Sequence, residues 1–280
     1  MATSKGKNAA IKGAVKFGGF SEKRTGILVL NNDKNPEGKL ANQTLKVGGL
    51  ASLSQNAGIV STITDAKKFV DLKKGEAQNP QYPNGKKLIG DEFIRAGTLE
   101  ITGEGGEFSG EIRDNLNDCD KRGRVCVVMN SPNGKQVLSG RLSYTGATEV
   151  KSGTLVVSGS SPMSEIKISG GMLGFDSEIL TVKNLSWSAG GIIFDFSKNR
   201  TLNVLEDINV SAIPEALDTF SFSNIAARKA YTILSFESKK NALAAFGGKK
   251  LEITDAATNK AYDAVFGASD TSLTVVFLPK

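Results

Sequence analysis

Short apolar runs closed by Gly, Asn, Asp or Ser occupy most of the chain, which is the pattern of β-strands separated by turns. Helical periodicity is rare, and we predict one short helix over residues 65–74. An Asn-Gly dipeptide favours a tight hairpin, so the turn at residues 132–134 predicts a hairpin between residues 125–129 and 137–142. The pattern as a whole indicates an all-β chain.

A short unit recurs along these strands and consists of a glycine, one further residue, an apolar strand and a polar turn. Copies start at Gly26, Gly97, Gly153, Gly171 and Gly191. A strand that returns at intervals of roughly twenty residues is typical of a β-solenoid, in which each strand pairs with the strand of the next coil. We therefore predict a parallel β-solenoid. A β-sandwich or jelly roll is the alternative, because its strands can also follow glycine turns.

The composition narrows the possible chemistry. The chain has no histidine, which excludes Ser-His-Asp and Cys-His catalysis, histidine metal sites and imidazole base chemistry. An enzyme of this sequence would use carboxylates, Lys, Arg, Tyr or Cys. The 31 glycines, 7 prolines, 4 tyrosines and single tryptophan describe many tight turns and few aromatic binding platforms. This composition suits a β-rich scaffold.

The chain carries 35 Lys and Arg against 29 Asp and Glu, a formal net charge of +6. A nucleic-acid binder would gather this excess on one segment among aromatic residues, whereas the lysines here are spread along the chain. We expect a solvated surface and no nucleic-acid partner. No apolar run approaches the roughly 18 to 20 residues of a membrane span, so we expect no membrane insertion by this chain.

The two cysteines, Cys119 and Cys126, lie close together in a charged segment. Their spacing fits a disulfide that closes a short loop, and it does not fit a CxxC redox or zinc motif. We predict this disulfide and, with it, an oxidising compartment.

The segment around the cysteines, residues 114–124, is the first candidate site. Asp118, Asp120, Arg122 and Arg124 are residue types that a β-helical polysaccharide lyase would need, because Lys or Arg then removes a proton next to a carboxylate. The spacing from Asp118 also begins like a calcium loop, but Arg122 stands at the third ligand position and no Glu closes the loop. We expect a solvated binding loop that holds neither a metal nor a cofactor.

Two tyrosines, Tyr82 and Tyr144, are the predicted surface aromatics that could stack on a glycan. Tyr82 belongs to the polar, turn-rich segment 76–90, which we predict to be a protruding loop. Recognition on a rigid scaffold commonly lies in such loops.

Residues 144–159 read Tyr-Thr-Gly-Ala-Thr-Glu-Val-Lys-Ser-Gly-Thr-Leu-Val-Val-Ser-Gly. This segment closely resembles the autotransporter-associated β-strand repeat, also called the passenger-associated transport repeat. The pattern of that family is Tyr-Thr-Gly-x-Thr-x-Val-x-x-Gly-Thr-Leu-x-Val-x-Gly. The units near Gly26 and Gly97 look like its second half, and the part after Gly191 looks like a passenger end. The resemblance implies a right-handed β-helical passenger of a bacterial surface or secreted protein.

We accordingly expect three regions: a flexible N-terminal tail over residues 1–16, a β-rich region with loop insertions over 17–143, and a repeat-bearing solenoid over 144–280. Residues 1–16 have neither the apolar core nor the cleavage site of a signal peptide. The expected role is non-enzymatic adhesion, binding or display, with a polysaccharide or glycoprotein as partner. A polysaccharide lyase or hydrolase, and a structural spacer or passenger-folding segment, are the alternatives.

Overall fold

A computed structural model describes residues 2–3, 8–17, 27–31, 43–52, 57–62, 69–71, 73–75, 77–78, 85–88, 95–115, 123–158, 165–211, 220–237 and 246–280. Every regular element over these residues is a β-strand, as the short apolar runs predict. The all-β class is therefore confirmed.

The strands of the N-terminal half are β1 (Ala2–Thr3), β2 (Asn8–Phe17), β3 (Ile27–Asn31), β4 (Gln43–Ser52), β5 (Gly58–Thr62), β6 (Phe69–Asp71), β7 (Lys86–Leu88), β8 (Arg95–Ile101), β9 (Gly105–Phe108), β10 (Glu111–Asn115), β11 (Gly123–Leu138) and β12 (Leu142–Ser143). Those of the C-terminal half are β13 (Thr148–Val157), β14 (Glu165–Phe175), β15 (Ile179–Val182), β16 (Asn184–Asp195), β17 (Thr201–Val204), β18 (Ile208–Val210), β19 (Phe220–Ser223), β20 (Ala230–Phe236), β21 (Lys250–Thr254), β22 (Ala261–Ala268) and β23 (Ser272–Pro279).

A ten-stranded parallel sheet runs through most of the molecule. Its main order is β18-β16-β14-β13-β11-β8-β4-β2, with β9 and β19 attached beside this path. Parallel neighbours need a crossover between them. The chain makes these crossovers through β10 and β12 of a five-stranded sheet and through β15 and β17 of a six-stranded sheet. Strands of consecutive circuits therefore lie side by side.

The register keeps like positions in line from one strand to the next. Val150 lies opposite Ile168, and Ile168 lies opposite Trp187. All three are buried, because alternate side chains of a strand point to the same face of the sheet. The inward positions of successive strands thus build one continuous apolar core.

Glycines interrupt the long strands at one place. Exposed residues break the alternation of burial in β13, β14 and β16, and Gly153 and Gly190 there have left-handed φ values of 74° and 75°. A Cβ atom on Gly153 would collide with the Ser131 carbonyl oxygen, and one on Gly190 would collide with the Gly171 carbonyl oxygen. Both the turn and the close stacking of strands therefore require glycine.

The core changes in character along the stack. Up to β13 its buried side chains are mainly aliphatic, whereas aromatic rings make up half of the buried core side chains from Phe175 onward. Phe175 meets Phe194 edge to face with centroids 5.6 Å apart, and Trp187 meets Phe220 at 5.4 Å. Each such pair adds about 0.5 to 1.5 kcal/mol beyond its buried area. The C-terminal part thus has the more strongly interlocked core.

The C-terminal end of the stack is closed by antiparallel strands. β20 pairs with β17 in parallel on one side and with β23 antiparallel on the other. β22 and β21 extend this meander. The change of direction ends the run of parallel strands.

The predicted division into regions differs from the observed sheets. β2 lies within and just beyond the expected flexible tail, and Ile11 pairs with Val47 of β4. This part of the tail belongs to the sheet. The expected boundary at residues 143/144 separates β12 from β13, yet β11 pairs with β13 across it. Parallel pairing joins consecutive circuits, so one sheet spans both regions.

Two local predictions are wrong. The turn at residues 132–134 does not reverse the chain, because β11 continues through it and has parallel neighbours on both sides. The register with β13 shifts between Met129 and Asn130 and again between Asn130 and Lys135. The expected helix over 65–74 contains β6, in which Phe69 pairs with Leu88 of β7. Pairing between strands outweighs the local pattern at both places.

Candidate functional site

The predicted loop around the cysteines has a well-defined base. Asp118, Cys119, Asp120 and Arg122 lie outside the described residues, but the strands on both sides are described. At the end of β10 the carboxylate of Asp114 accepts hydrogen bonds from the main-chain N–H groups of Val125 and Thr145, each at 3.0 Å. It also accepts one from the Thr145 hydroxyl at 2.6 Å. Asp114 thus ties β10 to the beginning of β11 and to the chain after β12.

Arg124 and Cys126 stand on the outward side of β11, and both are half-buried. Cys126 forms no disulfide with a described residue. Burial raises the pKa of this thiol, and the negative charge of Asp114 also raises it. Its predicted partner, Cys119, lies outside the described residues, so the disulfide stays a prediction.

Tyr144 does not lie at the surface. Its side chain is completely buried, and its hydroxyl forms a 2.6 Å hydrogen bond with the hydroxyl of Thr148. Burial raises the pKa of Tyr144. The prediction of a glycan-stacking platform at Tyr144 is therefore wrong: the ring completes the core, and the Thr148 hydroxyl satisfies its polar end. Tyr82 lies outside the described residues.

Four further fixed positions of residues 144–159, which we call the Tyr-Thr-Gly segment, have structural roles as well. Thr145 binds Asp114, and Gly146 packs so closely on β11 that a Cβ atom would collide with the Val125 carbonyl oxygen. Leu155 and Val157 are fully buried. The segment that carries the family resemblance thus joins neighbouring strands and leaves little chemistry free for a ligand.

The outward surface of the ten-stranded sheet is charged but balanced. Lys151 pairs with Glu149 at 3.4 Å and Lys167 pairs with Glu165 at 3.2 Å. On β4 and β8, Lys46 pairs with Glu100 at 3.3 Å. Burial alone would raise the pKa of Glu100, but hydrogen bonds from Asn130 and Lys46 hold it below its ordinary value. These three lysines are thus each balanced by a neighbouring glutamate.

A second polar cluster, which sequence reasoning missed, lies at one corner of the C-terminal part. We call the turns 196–200, 224–229 and 255–260 the C-terminal corner. Beneath it Arg200, which is only 8% exposed, bridges Asp176 at 3.1 Å and Asp195 at 3.5 Å. One guanidinium nitrogen also donates to the Phe175 carbonyl oxygen, whereas Nε has no partner among the described residues. Two carboxylates thus balance the buried cation.

Asp255 holds the turns of the C-terminal corner together. Its carboxylate is fully buried and accepts main-chain hydrogen bonds from Asn224, Ile225, Ala257 and Thr258 at 2.8 to 3.3 Å. Burial alone would raise the pKa of Asp255, but these hydrogen bonds lower it below its ordinary value. An Asp that opens the turn-like stretch 255–259 was the only sequence signal for this clamp.

Of the six predicted binding residues the structure describes only Arg124, which is half-buried on β11, and Tyr144, which lies in the core. Among the described residues no group of three His, Cys, Asp or Glu side chains could hold a metal ion. Within the same part of the chain no helix is long and apolar enough to cross a membrane.

Comparisons with known proteins found no match: neither a protein-family model, nor a curated protein, nor a solved structure is significantly similar to this chain.

Proposed function

We propose that the chain is part of an exported bacterial surface protein in which a right-handed parallel β-solenoid acts as a non-enzymatic scaffold for adhesion, binding or display. The observation that carries this proposal is the use of the Tyr-Thr-Gly segment. Tyr144 and Thr148 bond each other inside the core, and Thr145 binds the Asp114 clamp. A segment devoted to joining strands fits a scaffold whose recognition lies in its loops.

Parallel pairing supports the solenoid over the β-sandwich or jelly roll. The strands of a sandwich or jelly roll pair mainly antiparallel, whereas β11, β13, β14 and β16 pair in parallel in chain order. Crossovers between parallel strands are right-handed in almost all proteins, which favours the right-handed form.

The engagement of the described carboxylates supports a scaffold over a polysaccharide lyase or hydrolase. Asp114 and Asp255 each bind main-chain donors, and Asp195 is bonded to Arg200 and Asn224. A catalytic acid or base needs its oxygen directed at the substrate, so these three residues suit structural roles.

Native affinity electrophoresis against mucins and against acidic and neutral polysaccharides tests this function. We expect at least one glycan to retard the protein without the appearance of new reducing or unsaturated ends in that lane. New reducing or unsaturated ends would contradict the non-enzymatic scaffold and would indicate a polysaccharide lyase or hydrolase. The absence of both retardation and cleavage over the panel would leave only a structural role.

A structural spacer or passenger-folding segment is the second candidate, and the aromatic core favours it. Stacked and edge-to-face ring contacts run from Phe175 to Phe277, and the antiparallel meander closes the same end. A folding segment should resist unfolding more than the rest. Limited proteolysis of the whole chain should then leave a resistant fragment that begins near β14, whereas uniform digestion would contradict this candidate.

The predicted export has an independent chemical test. Intact mass of freshly purified, non-reduced protein should be lower by two hydrogens if Cys119 and Cys126 are bonded. Two free thiols would remove the argument for an oxidising compartment.

A further inference from the structure

The C-terminal corner exposes four cations that form no ion pair with a described residue, although Lys229 Nζ lies 4.9 Å from the centroid of the Tyr231 ring. Lys198, Arg228, Lys229 and Lys260 are all exposed, and among the described residues none of them forms an ion pair. Lys151 and Lys167 on the ten-stranded sheet, in contrast, each pair with a glutamate. The positive charge of the corner is thus locally unbalanced at the surface.

Hydrogen bonds stack the three turns on one another. The main-chain N–H of Phe196 donates to the Ser223 carbonyl, which joins the first turn to the second. Lys229 donates to the Asn199 side chain at 3.0 Å across the same pair of turns. Asp255 joins the second turn to the third through Asn224 and Ile225. The cations therefore form a row along the corner, and neighbouring strands lie about 4.8 Å apart.

The acids near this row are already engaged by groups other than its four cations. Asp255 is fully buried, and its oxygens are occupied by main-chain donors. Asp195 accepts from Asn224 at 2.6 Å and faces Arg200. Asp176 is bound to Arg200 and to the Ser158 hydroxyl. Asp176 and Asp195 pair with Arg200, and Asp255 binds main-chain donors, so among the described residues none of the three forms an ion pair with the four exposed cations.

Hydrogen bonds hold three residues of the C-terminal corner in left-handed backbone conformations, which keeps the turns that carry the cations rigid. Asn224, Arg228 and Asn259 have left-handed φ values of 55°, 61° and 56°, which are uncommon for residues other than glycine. The surrounding bonds hold them there: Asn224 through Asp255, and Arg228 through its N–H to the Phe277 carbonyl. Strained backbone of this kind often lies at binding sites.

We propose that the C-terminal corner binds an acidic polysaccharide, whose regularly spaced sulfate or carboxylate groups lie along the row of Lys198, Arg228, Lys229 and Lys260. This proposal deepens the scaffold function and rests on it. Exposed polar groups beside the cations, such as Thr258 and Asn259, can bond sugar hydroxyls. A lipid surface is disfavoured because the only apolar residues exposed in these turns are alanines, which anchor poorly. Nucleic acid is disfavoured because no exposed aromatic ring is described there for base stacking.

The test measures dissociation constants of the full chain for dextran sulfate and polygalacturonate, with unmodified dextran as the uncharged comparison. One variant combines Lys198→Gln, Arg228→Asn, Lys229→Gln and Lys260→Gln; Asn is used at 228 because it tolerates the left-handed backbone. Exposed ion pairs each contribute a factor of about 1.5 to 5 in affinity. We therefore expect the variant to bind at least one polyanion about tenfold more weakly or worse.

The matched control removes the same number of positive charges from lysines that are paired with acids: Lys151→Gln, Lys167→Gln, Lys183→Gln and Lys250→Gln. We expect its affinity to stay within about threefold of the unmodified chain. An equal loss in both variants would show that net charge alone acts, and would overturn the proposal.

A milder variant protects the test against misfolding. Lys198→Gln with Lys260→Gln removes two side chains that form no ion pair or side-chain hydrogen bond among the described residues. Its thermal midpoint should be unchanged while its polyanion affinity falls about threefold or more. Unchanged affinity in this variant would contradict the proposal.

Other outcomes separate this proposal from the scaffold function. Retardation of the chain by a mucin or a neutral glycan, without polyanion binding, would keep the scaffold and overturn the acidic ligand. If polyanion binding needs the four cations but new sugar ends also appear, the binding site at the C-terminal corner is supported and the non-enzymatic function is overturned. Tighter cation-dependent binding to duplex DNA or to phosphatidylserine vesicles, at equal phosphate or sulfate concentration, would overturn the polysaccharide assignment.

Discussion

Gln136 on β11 bonds both main-chain groups of Leu50 on β4, although β9 lies between these two strands. Gln136 Oε1 accepts from the Leu50 N–H at 2.9 Å, and Nε2 donates to the Leu50 carbonyl oxygen at 3.1 Å. Nε2 also donates to the carbonyl oxygen of Gly106, the residue opposite Gln136 on β9. Because glycine has no side chain, it leaves room for the amide to reach Leu50. One fully buried side chain thus joins three strands.

Replacement of Gln136 by Met should lower the free energy of unfolding by about 2 to 4 kcal/mol, because buried main-chain groups of Leu50 and Gly106 lose their partner while the volume is kept. Urea unfolding followed by circular dichroism measures this change. Lys135→Met is the matched control, since the neighbouring Lys135 is exposed. Equal stability of the two variants would show that the bridge contributes nothing.

The strand stacking at Gly153 can be separated from the cost of its left-handed backbone. Gly153 and Gly248 both have φ of 74°, but only Gly153 lies against a neighbouring strand, whereas nothing lies within 4 Å of a Cβ at Gly248. Gly248→Ala should lose about 1 to 2 kcal/mol from backbone strain alone. Gly153→Ala should lose clearly more or fail to fold, because Ser131 must move.

Soluble yield and the urea midpoint of the two alanine variants decide this comparison. A similar loss in both would mean that the neighbouring strand adapts easily to a Cβ atom. The close packing of neighbouring strands at this position would then not require glycine.

Asp255→Asn should destabilise the C-terminal corner at neutral pH, because an amide offers one acceptor oxygen where the carboxylate binds four main-chain donors. A hydrogen bond to a charged acceptor contributes about 1.5 to 3 kcal/mol to stability. The remaining oxygen of Asn can still accept some of the four hydrogen bonds, so the total loss is smaller than their sum. We expect a loss of about 2 to 3 kcal/mol in urea unfolding at pH 7.

The pH dependence of this effect has a definite sign. The folded pKa of Asp255 lies below its ordinary value of 3.8, so the folded state favours the charged form. Its stabilisation is fully present above pH 3.8 and is lost as the pH falls through the lower folded pKa. The difference in stability between the original chain and Asp255→Asn should therefore narrow below about pH 4. A gap independent of pH from 7 to 2.5 would contradict this assignment.

Tyr144→Phe should lower the free energy of unfolding by about 1 to 2 kcal/mol, because the buried hydrogen bond between the Tyr144 and Thr148 hydroxyls is lost. The double variant with Thr148→Val should recover part of this loss, since both polar groups are then absent. Calorimetric unfolding of the four proteins gives the coupling energy.

Glycan retardation of Tyr144→Phe should equal that of the original chain, because the ring lies inside the core. A loss of retardation in the folded variant would restore Tyr144 as a binding residue.

Local patterns predicted the all-β class of this protein. Leu155, Val157 and Phe194 lie in apolar runs that form strands, and all three are buried, because alternate side chains of a strand point to the same face. The recurring glycine was also visible in the sequence, although the register aligns Gly190, rather than Gly191, with Gly153 and Gly171. That single-residue offset depends on pairing between strands.

Contacts between distant segments decided the rest. The turn at residues 132–134 has hairpin chemistry, but parallel neighbours on both sides of β11 keep the chain in one direction. The local sequence does not determine which side of the chain Tyr144 faces. Its burial follows from the hydrogen bond to the Thr148 hydroxyl and from the adjoining strands. Gln136 and Leu50 are 86 residues apart, and no local pattern links them. The residues that clamp the strands together bind partners brought near only by folding, so their roles could not be read before the strands were stacked.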